Sequence, residues 1–324
     1  MAKLVLGFAS SHAAQLKMKV ENWPLLLEKD QTDPRMNYEE LLARDLPGMD
    51  AQITPEKWAE RYDACHEALG VLRNTVAEVA PDAIVVIGDD QHEQFSAANM
   101  PMFSVFHGEE LQTVKRASRS GTRSRTRAPT AWSLGQDDTE PDGAFPAEEG
   151  LARHMIRSFV DSGVDVATSD AMNEDVGIGH AFNFLYRYIL PEGNIPVVPL
   201  MVNTFFPPNQ PTPRRCYEVG QALGRAIESW ESDARVAVMA SGGLSHVILD
   251  EEIDDMTLSA LKAKDADALA NLPVDRLTRG TSEIRNWVVL AGATEPLDMT
   301  LIDYVPCYRT MAGTGCGMGF ASWQ

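Results

Sequence analysis

Short apolar runs alternate with helical patterns along most of this chain, and few architectures accommodate that order. KLVLGFA (3–9), DAIVVIG (82–88), MFSVF (102–106), VDVATS (164–169), PVVPLMVN (196–203) and VAVMAS (236–241) have the length and composition of buried strands. The strongest helical pattern follows Thr54-Pro55-Glu56, where Thr54 supplies an N-cap and Pro55 suits the first helical position. Trp58, Tyr62, Cys65, Leu69, Leu72, Val76 and Val79 then recur at alternating spacings of four and three, one apolar face sustained for seven contacts. Further helices are expected around Trp23–Lys29, Tyr38–Asp45, Ala147–Asp161, Arg214–Trp230, Asp250–Lys264 and Ser282–Ala291, with a short strand around Met299–Tyr304. Such alternation implies an α/β layer architecture. No internal repeat and no linker separates two cores. Residues 1–324 are therefore expected to form a single domain, interrupted by an insertion at about 108–143.

Length and charge narrow the function classes. At 324 residues the chain lies near the upper limit of one core. It has no run of 18 apolar residues, which excludes a membrane-spanning helix. A net charge of −19 argues against nucleic acid or an anionic membrane as the main partner, because a negative field repels both. One tract runs against that trend: Lys115, Arg116, Arg119, Arg123, Arg125 and Arg127 crowd KRASRSGTRSRTRAP, whose Ser, Thr and Gly content predicts an exposed loop. At the N-terminus, the apolar stretch LVLGFA is shorter than a signal-peptide core and reads as the first buried strand. Cys65, Cys216, Cys307 and Cys316 form no CxxC pair. Neither a disulfide framework nor a thiolate zinc site is expected, and a reducing cytoplasm is the expected location.

The seven histidines divide into two groups. His66 and His154 sit off the apolar stripes of their helices and read as surface residues, and His107 reads as a loop residue. The others each follow a strand: His12 in GFASSH, His92 in IVVIGDDQHEQF, His180 in GIGHAF and His246 in VMASGGLSH. In open α/β sheets the loops beyond the carboxyl ends of the strands build the ligand crevice, so these four are expected to converge on one site. Two histidines and one carboxylate with open positions form the facial triad of non-haem Fe(II) chemistry. The same donors also suit zinc with a bound water. The carboxylate candidates are Asp89, Asp90, Glu93 and Glu283. Glu283 begins the helix SEIRNWVVLAG, where it either joins the site or complements the helix dipole. GTGCGMGF (313–320) opens no long helix, so it is read as close-packed backbone and not as a dinucleotide fingerprint. Ser245 in GGLSHV lacks the second glycine of a nucleophile elbow.

Taken in order, GFASSH, GDDQHEQF, SGGLSH, EIRNWVVLAG and TGCGMGFASW span residues 4–323 and resemble the class III extradiol dioxygenases of the LigB-like superfamily. The nearest branch is that of the single-chain 3-O-methylgallate and gallate dioxygenases. This resemblance implies an α/β fold with a central mixed β-sheet flanked by helices and an active site at the strand ends. It implies His12 and His92 as histidine ligands of Fe(II), Glu283 as the carboxylate ligand, His246 as acid/base, and His180 as a hydrogen-bond partner of substrate or dioxygen. Asp90 falls where such proteins often carry a polar residue near the metal. A substrate carboxylate would need a basic or hydroxyl partner, for which Arg285, Arg309 and Tyr304 are candidates the sequence does not choose among. The expected reaction is ring opening of a catechol-type aromatic acid by dioxygen, in a homo-oligomer of dimer size or larger. Two alternatives keep the fold: a zinc-dependent hydrolase on the same ligands, and a non-catalytic, Memo-like binding protein. The presence of His12, His92 and Glu283 argues against the second. The chain departs from the two-chain relatives in lacking a small helical partner subunit and in carrying the basic insertion.

Overall fold

Most of the apolar runs become strands covered on both faces, whereas VDVATS yields only a short, partly exposed edge strand, Ala167–Ser169. The computed structural model describes residues 1–113 and 143–324. Its strands are β1 (Lys3–Ser10), β2 (Ala83–Asp89), β3 (Phe103–Phe106), β4 (Glu110–Thr113), β5 (Gly143–Pro146), β6 (Ala167–Ser169), β7 (Val197–Val202), β8 (Arg235–Ser241), β9 (His246–Ile248), β10 (Met299–Tyr308) and β11 (Thr314–Trp323). Nine of them form one mixed sheet in the order β10-β11-β1-β8-β2-β7-β3-β6, with β9 paired to β11. The run β1-β8-β2-β7 is parallel, whereas β3 and β11 enter antiparallel to their inner neighbours.

Side chains alternate across this sheet as strand geometry requires. On β2, Ala83, Val85 and Ile87 join one buried cluster and Ile84 and Val86 join the other. The first cluster takes Phe159, Val219 and Val288 from the helices Glu149–Asp161, Pro213–Ser229 and Ile284–Ala293. The second takes Leu69, Leu72 and Phe184 from Pro55–Val79 and His180–Tyr188. Near-continuous apolar strands are what a parallel sheet buried on both faces needs. The long helix starts as its sequence predicts, with the Thr54 hydroxyl accepting the Lys57 N–H at 3.2 Å.

The C-terminal third differs most from expectation. The strand foreseen near Met299–Tyr304 runs on to Tyr308, and GTGCGMGF lies in β11, a wholly buried strand between β1 and β10. Glycine weakens the strand signal in sequence, but here it permits close approach. A Cβ on Gly315 would overlap the Cys307 carbonyl, and one on Gly317 would overlap the Asp254 carboxylate. The helix expected from Ser282 is preceded by a 3-10 turn, Arg279–Glu283, so Glu283 sits at the junction of the two. The Lys115–Arg127 tract lies outside the described residues; its flanks, β4 and β5, pair as a two-stranded ladder. Among the described residues, no helix is long and apolar enough to cross a membrane.

What this topology does for function is local. Strands β1, β8 and β2 lie side by side and parallel, ending on Ser10, Ser241 and Asp89. Their carboxyl ends therefore open on one crevice.

Candidate metal centre

His12 follows β1, Asp89 closes β2, and His246 follows β8 after the turn Gly242–Ser245. Glu283 and His180 reach the same place from the starts of two helices. His12, His180, His246 and Glu283 line a cavity of about 380 Å³, together with Gln91, Glu93, Phe205 and several basic side chains.

Each of the three imidazoles is tied by Nδ1 to an acceptor outside the cluster. The Ser241 hydroxyl donates to the Ala181 carbonyl at 2.6 Å, so its oxygen accepts from His12 Nδ1 at 3.0 Å. His180 Nδ1 donates to Glu93 at 2.9 Å, and His246 Nδ1 donates to the Leu244 carbonyl at 2.9 Å. All three Nε2 atoms consequently point inward, toward two carboxylates. His12 Nε2 lies 3.4 Å from Glu283 Oε2 and 4.0 Å from Asp89 Oδ1. His180 Nε2 lies 4.0 Å from Asp89 Oδ2, and His246 Nε2 lies 3.1 Å from Glu283 Oε1. Outer partners that fix the tautomer and aim the other nitrogen are the usual supports of metal-binding histidines.

The electrostatics of the bare cluster are unbalanced in a way a cation relieves. Burial holds His12 down to about 4, so the ring is neutral and its inward nitrogen is a lone pair. That lone pair faces two carboxylate oxygens. Burial and the charge of Glu283 push Asp89 up to about 7. Asp89 Oδ1 is buried with no hydrogen-bond partner, a costly condition for a carboxylate. Burial opposes ionisation of Glu283, yet the neighbouring His246 ring foremost keeps it well below the usual range. For His180, burial disfavours the charge but Glu93 and Asp89 outweigh it and raise the ring to about 9. Donor atoms of His12, Asp89 and His180 all fall within 4.8 Å of one another. Nitrogen and carboxylate oxygen donors without thiolate fit an ion of intermediate hardness, and the orphaned Asp89 oxygen supplies a ligand for it.

The structure does not bring His92 to this cluster. The Asp90 carboxylate accepts the backbone N–H groups of His92, Glu93, Gln94 and Phe95, at 3.0, 3.1, 2.7 and 3.3 Å. That winds the loop tightly and sets His92 at φ +66°, with its ring stacked on Phe206 at 3.9 Å and its Nδ1 against the Phe95 carbonyl. Gln91 and Glu93, on either side, line the cavity instead. Asp90 thus shapes the loop and does not line the cavity of the cluster. Two further candidates are also elsewhere. Arg285 is buried, donating to the carbonyls of Pro211, Leu277 and Ser282, and the Tyr304 hydroxyl donates to Asp254 at 2.7 Å. His66 differs from its surface reading: it is half-buried and packs on the Tyr62 ring at 4.1 Å.

Glu93 and Asp89 were visible in sequence only as carboxylates after a strand. Glu93 accepts both the His180 N–H, at 2.8 Å, and its Nδ1, so it caps the helix start and aims the ring at once. Glu93→Gln is expected to weaken metal binding by about ten- to a hundredfold, read by anaerobic metal titration, with His154→Ala as an unaffected control. Gly280 matters for a different reason: a Cβ there would overlap the His246 ring. Gly280→Ala is therefore expected to displace His246 and lower turnover while leaving metal content unchanged.

A crevice at parallel strand ends, lined by histidines and carboxylates whose donor atoms lie close enough to share one ion, defines an α/β protein with a candidate metal centre. A family model described as the catalytic LigB subunit of aromatic ring-opening dioxygenase matches residues 47–315, and the chain belongs to that family. A 2,3-dihydroxyphenylpropionate/2,3-dihydroxicinnamic acid 1,2-dioxygenase from Rhodococcus sp is 30% identical over 187 residues, 58% of this chain and 50% of the relative. A gallate dioxygenase from Pseudomonas putida is 32% identical over 170 residues, 48% of this chain and 47% of the relative. The chain thus spans about half the length of the curated relatives it matches. Among solved structures, an uncharacterized protein from Escherichia coli K12 aligns with a TM-score of 0.46 at 15% identity, over 79% of this chain and 91% of that one.

Proposed function

We propose that this protein is an Fe(II)-dependent extradiol dioxygenase that opens the ring of a catechol-type aromatic acid, such as 3-O-methylgallate, gallate or protocatechuate. In this reading His12, His180, Asp89 and Glu283 hold the metal, with His180 in the role the sequence resemblance gave to His92. The observation that carries it is the convergence of inward-facing Nε2 atoms on two buried carboxylates. Family membership and the activities named for the relatives agree with it. Bound there, iron supplies Lewis acidity toward adjacent ring oxygens and the redox capacity that dioxygen activation requires.

The chain's own residues supply the rest. His246 has its Nδ1–H committed to Leu244, so Nε2 is the atom that takes a phenolic proton. Burial disfavours its charged form, but the neighbouring Glu283 raises the ring's basicity, which suits a proton acceptor. Phe205 offers the cavity an aromatic wall, and Lys17, Lys29, Arg35 and Arg309 line it as well. Arg35 is held by Asp33 through Nε at 2.7 Å and Nη2 at 2.5 Å, and Lys29 lies 3.6 Å from Asp30 and 3.3 Å from Asp33. Cations fixed in place by such pairs favour a substrate whose ring carries a negative group.

The test is dioxygen uptake by anaerobically purified, Fe(II)-loaded protein on 3-O-methylgallate, gallate, protocatechuate and catechol. Uptake is expected to track a ring-opened chromophore, to favour the acids over catechol, and to stop on chelation and return with Fe(II). Lys17→Met is expected to lower kcat/KM for the acids about tenfold while sparing catechol. Absence of uptake on every diol in protein shown to hold iron would contradict the proposal.

A further inference from the structure

Asp254 is fully buried in the first turn of the helix Glu251–Ala263, and both of its oxygens serve the residue before His246. Oδ1 accepts the Ser245 N–H at 2.6 Å; Oδ2 accepts the Ser245 hydroxyl at 2.7 Å and the Tyr304 hydroxyl, from β10, at 2.7 Å. The Ser245 oxygen in turn accepts the Asp250 N–H at 2.8 Å, and the Ser245 carbonyl accepts the Gly317 N–H at 2.7 Å. Every polar group of Ser245 is thereby fixed from the start of the helix or from β11, and Tyr304 on β10 holds Asp254 in turn.

Immediately beyond His246 the backbone is strained. Val247 has φ +69°, a left-handed conformation that a β-branched residue rarely adopts and that persists only where its surroundings over-determine it. The fixed segment is thus on one side of His246 and the strained residue on the other. We propose that Asp254 is a positioning residue for the reaction: with Ser245 and Tyr304 it clamps the turn so that His246 Nε2 is held against Glu283 and the cavity. This rests on the acid/base role given to His246 above.

A clamp that acts through His246 makes a prediction that a merely structural carboxylate does not. Asp254→Asn is expected to lower kcat about ten- to a hundredfold, with KM and iron content little changed, as misplacement of a catalytic group does. In a His246→Gln background the same substitution is expected to change the residual kcat less than about twofold. Tyr304→Phe, which removes one donor of the three, is expected to cost less than Asp254→Asn. Equal losses in both backgrounds, or a drop in thermal stability with kcat intact, would overturn the proposal. If Asp254→Asn does not fold, Ser245→Ala carries the same cycle. Ring-labelled histidine NMR supplies a readout that needs no turnover: the His246 resonance, assigned with His246→Gln, is expected to shift or split in Asp254→Asn while that of His154 stays in place. An unmoved His246 resonance contradicts the clamp. Absence of dioxygen uptake by the unaltered protein, with the resonance shifted, contradicts only the proposed reaction.

Discussion

His12→Ala is expected to abolish metal binding and ring opening together. His12 is buried and neutral, and its inward nitrogen lies between Glu283 and Asp89, so the substitution removes a donor from the centre of the cluster. Losing an outer partner of a metal ligand typically costs about ten- to a hundredfold in affinity, and losing the ligand itself costs more. Anaerobic titration with Fe(II), followed by dioxygen uptake at the highest metal concentration attained, checks both halves. The metal-free protein is expected to change far less than the metal-loaded one. In the unaltered protein the metal adds stability that grows with its free concentration over Kd, and the variant lacks that increment.

Arg309→Met is expected to destabilise the fold by about 3–5 kcal/mol, the loss typical when one partner of a buried ion pair is removed. Arg309 donates to Asp30 through Nε and Nη2, both at 2.7 Å, and Thr314 adds a hydroxyl donor at 2.5 Å to the same carboxylate. Asp30 is fully buried, so without the guanidinium its charge is left with too few partners. The pair joins the helix Leu26–Gln31 to the turn between β10 and β11, beside the wall that carries Lys29. Urea unfolding measures the loss. Asp30→Asn combined with Arg309→Met is expected to recover much of it, because no buried charge then remains unpaired. Failure of the double variant to recover would place the cost in lost packing.

The strands that build the crevice were legible because a doubly covered parallel sheet needs long apolar runs, and runs such as DAIVVIG read as little else. The expectation that histidines past strand ends converge holds for His12 and His246, since β1 and β8 lie side by side, and His180 joins them from the start of its helix although the strand before it, β6, is at the far edge of the sheet. It fails for His92 because one side chain, Asp90, decides which way the loop winds. Neither spacing nor composition reports that choice between Gln91, His92 and Glu93. His180 was read in a loop but opens a helix, where Glu93 can cap and aim it. β11 was hidden by its glycines, whose purpose appears only once β10 and Asp254 are packed against them. Arg285 and Tyr304 have the chemistry to meet a carboxylate, but partners from distant segments, the Pro211 carbonyl and Asp254, engage them.

The most direct test of the account compares His180→Ala with His92→Ala in anaerobic Fe(II) titration and dioxygen uptake on the best aromatic acid of the panel. The predicted result is that His180→Ala loses metal and activity, whereas His92→Ala keeps both to within a few-fold. Retention by His180→Ala with loss in His92→Ala would contradict the ligand set.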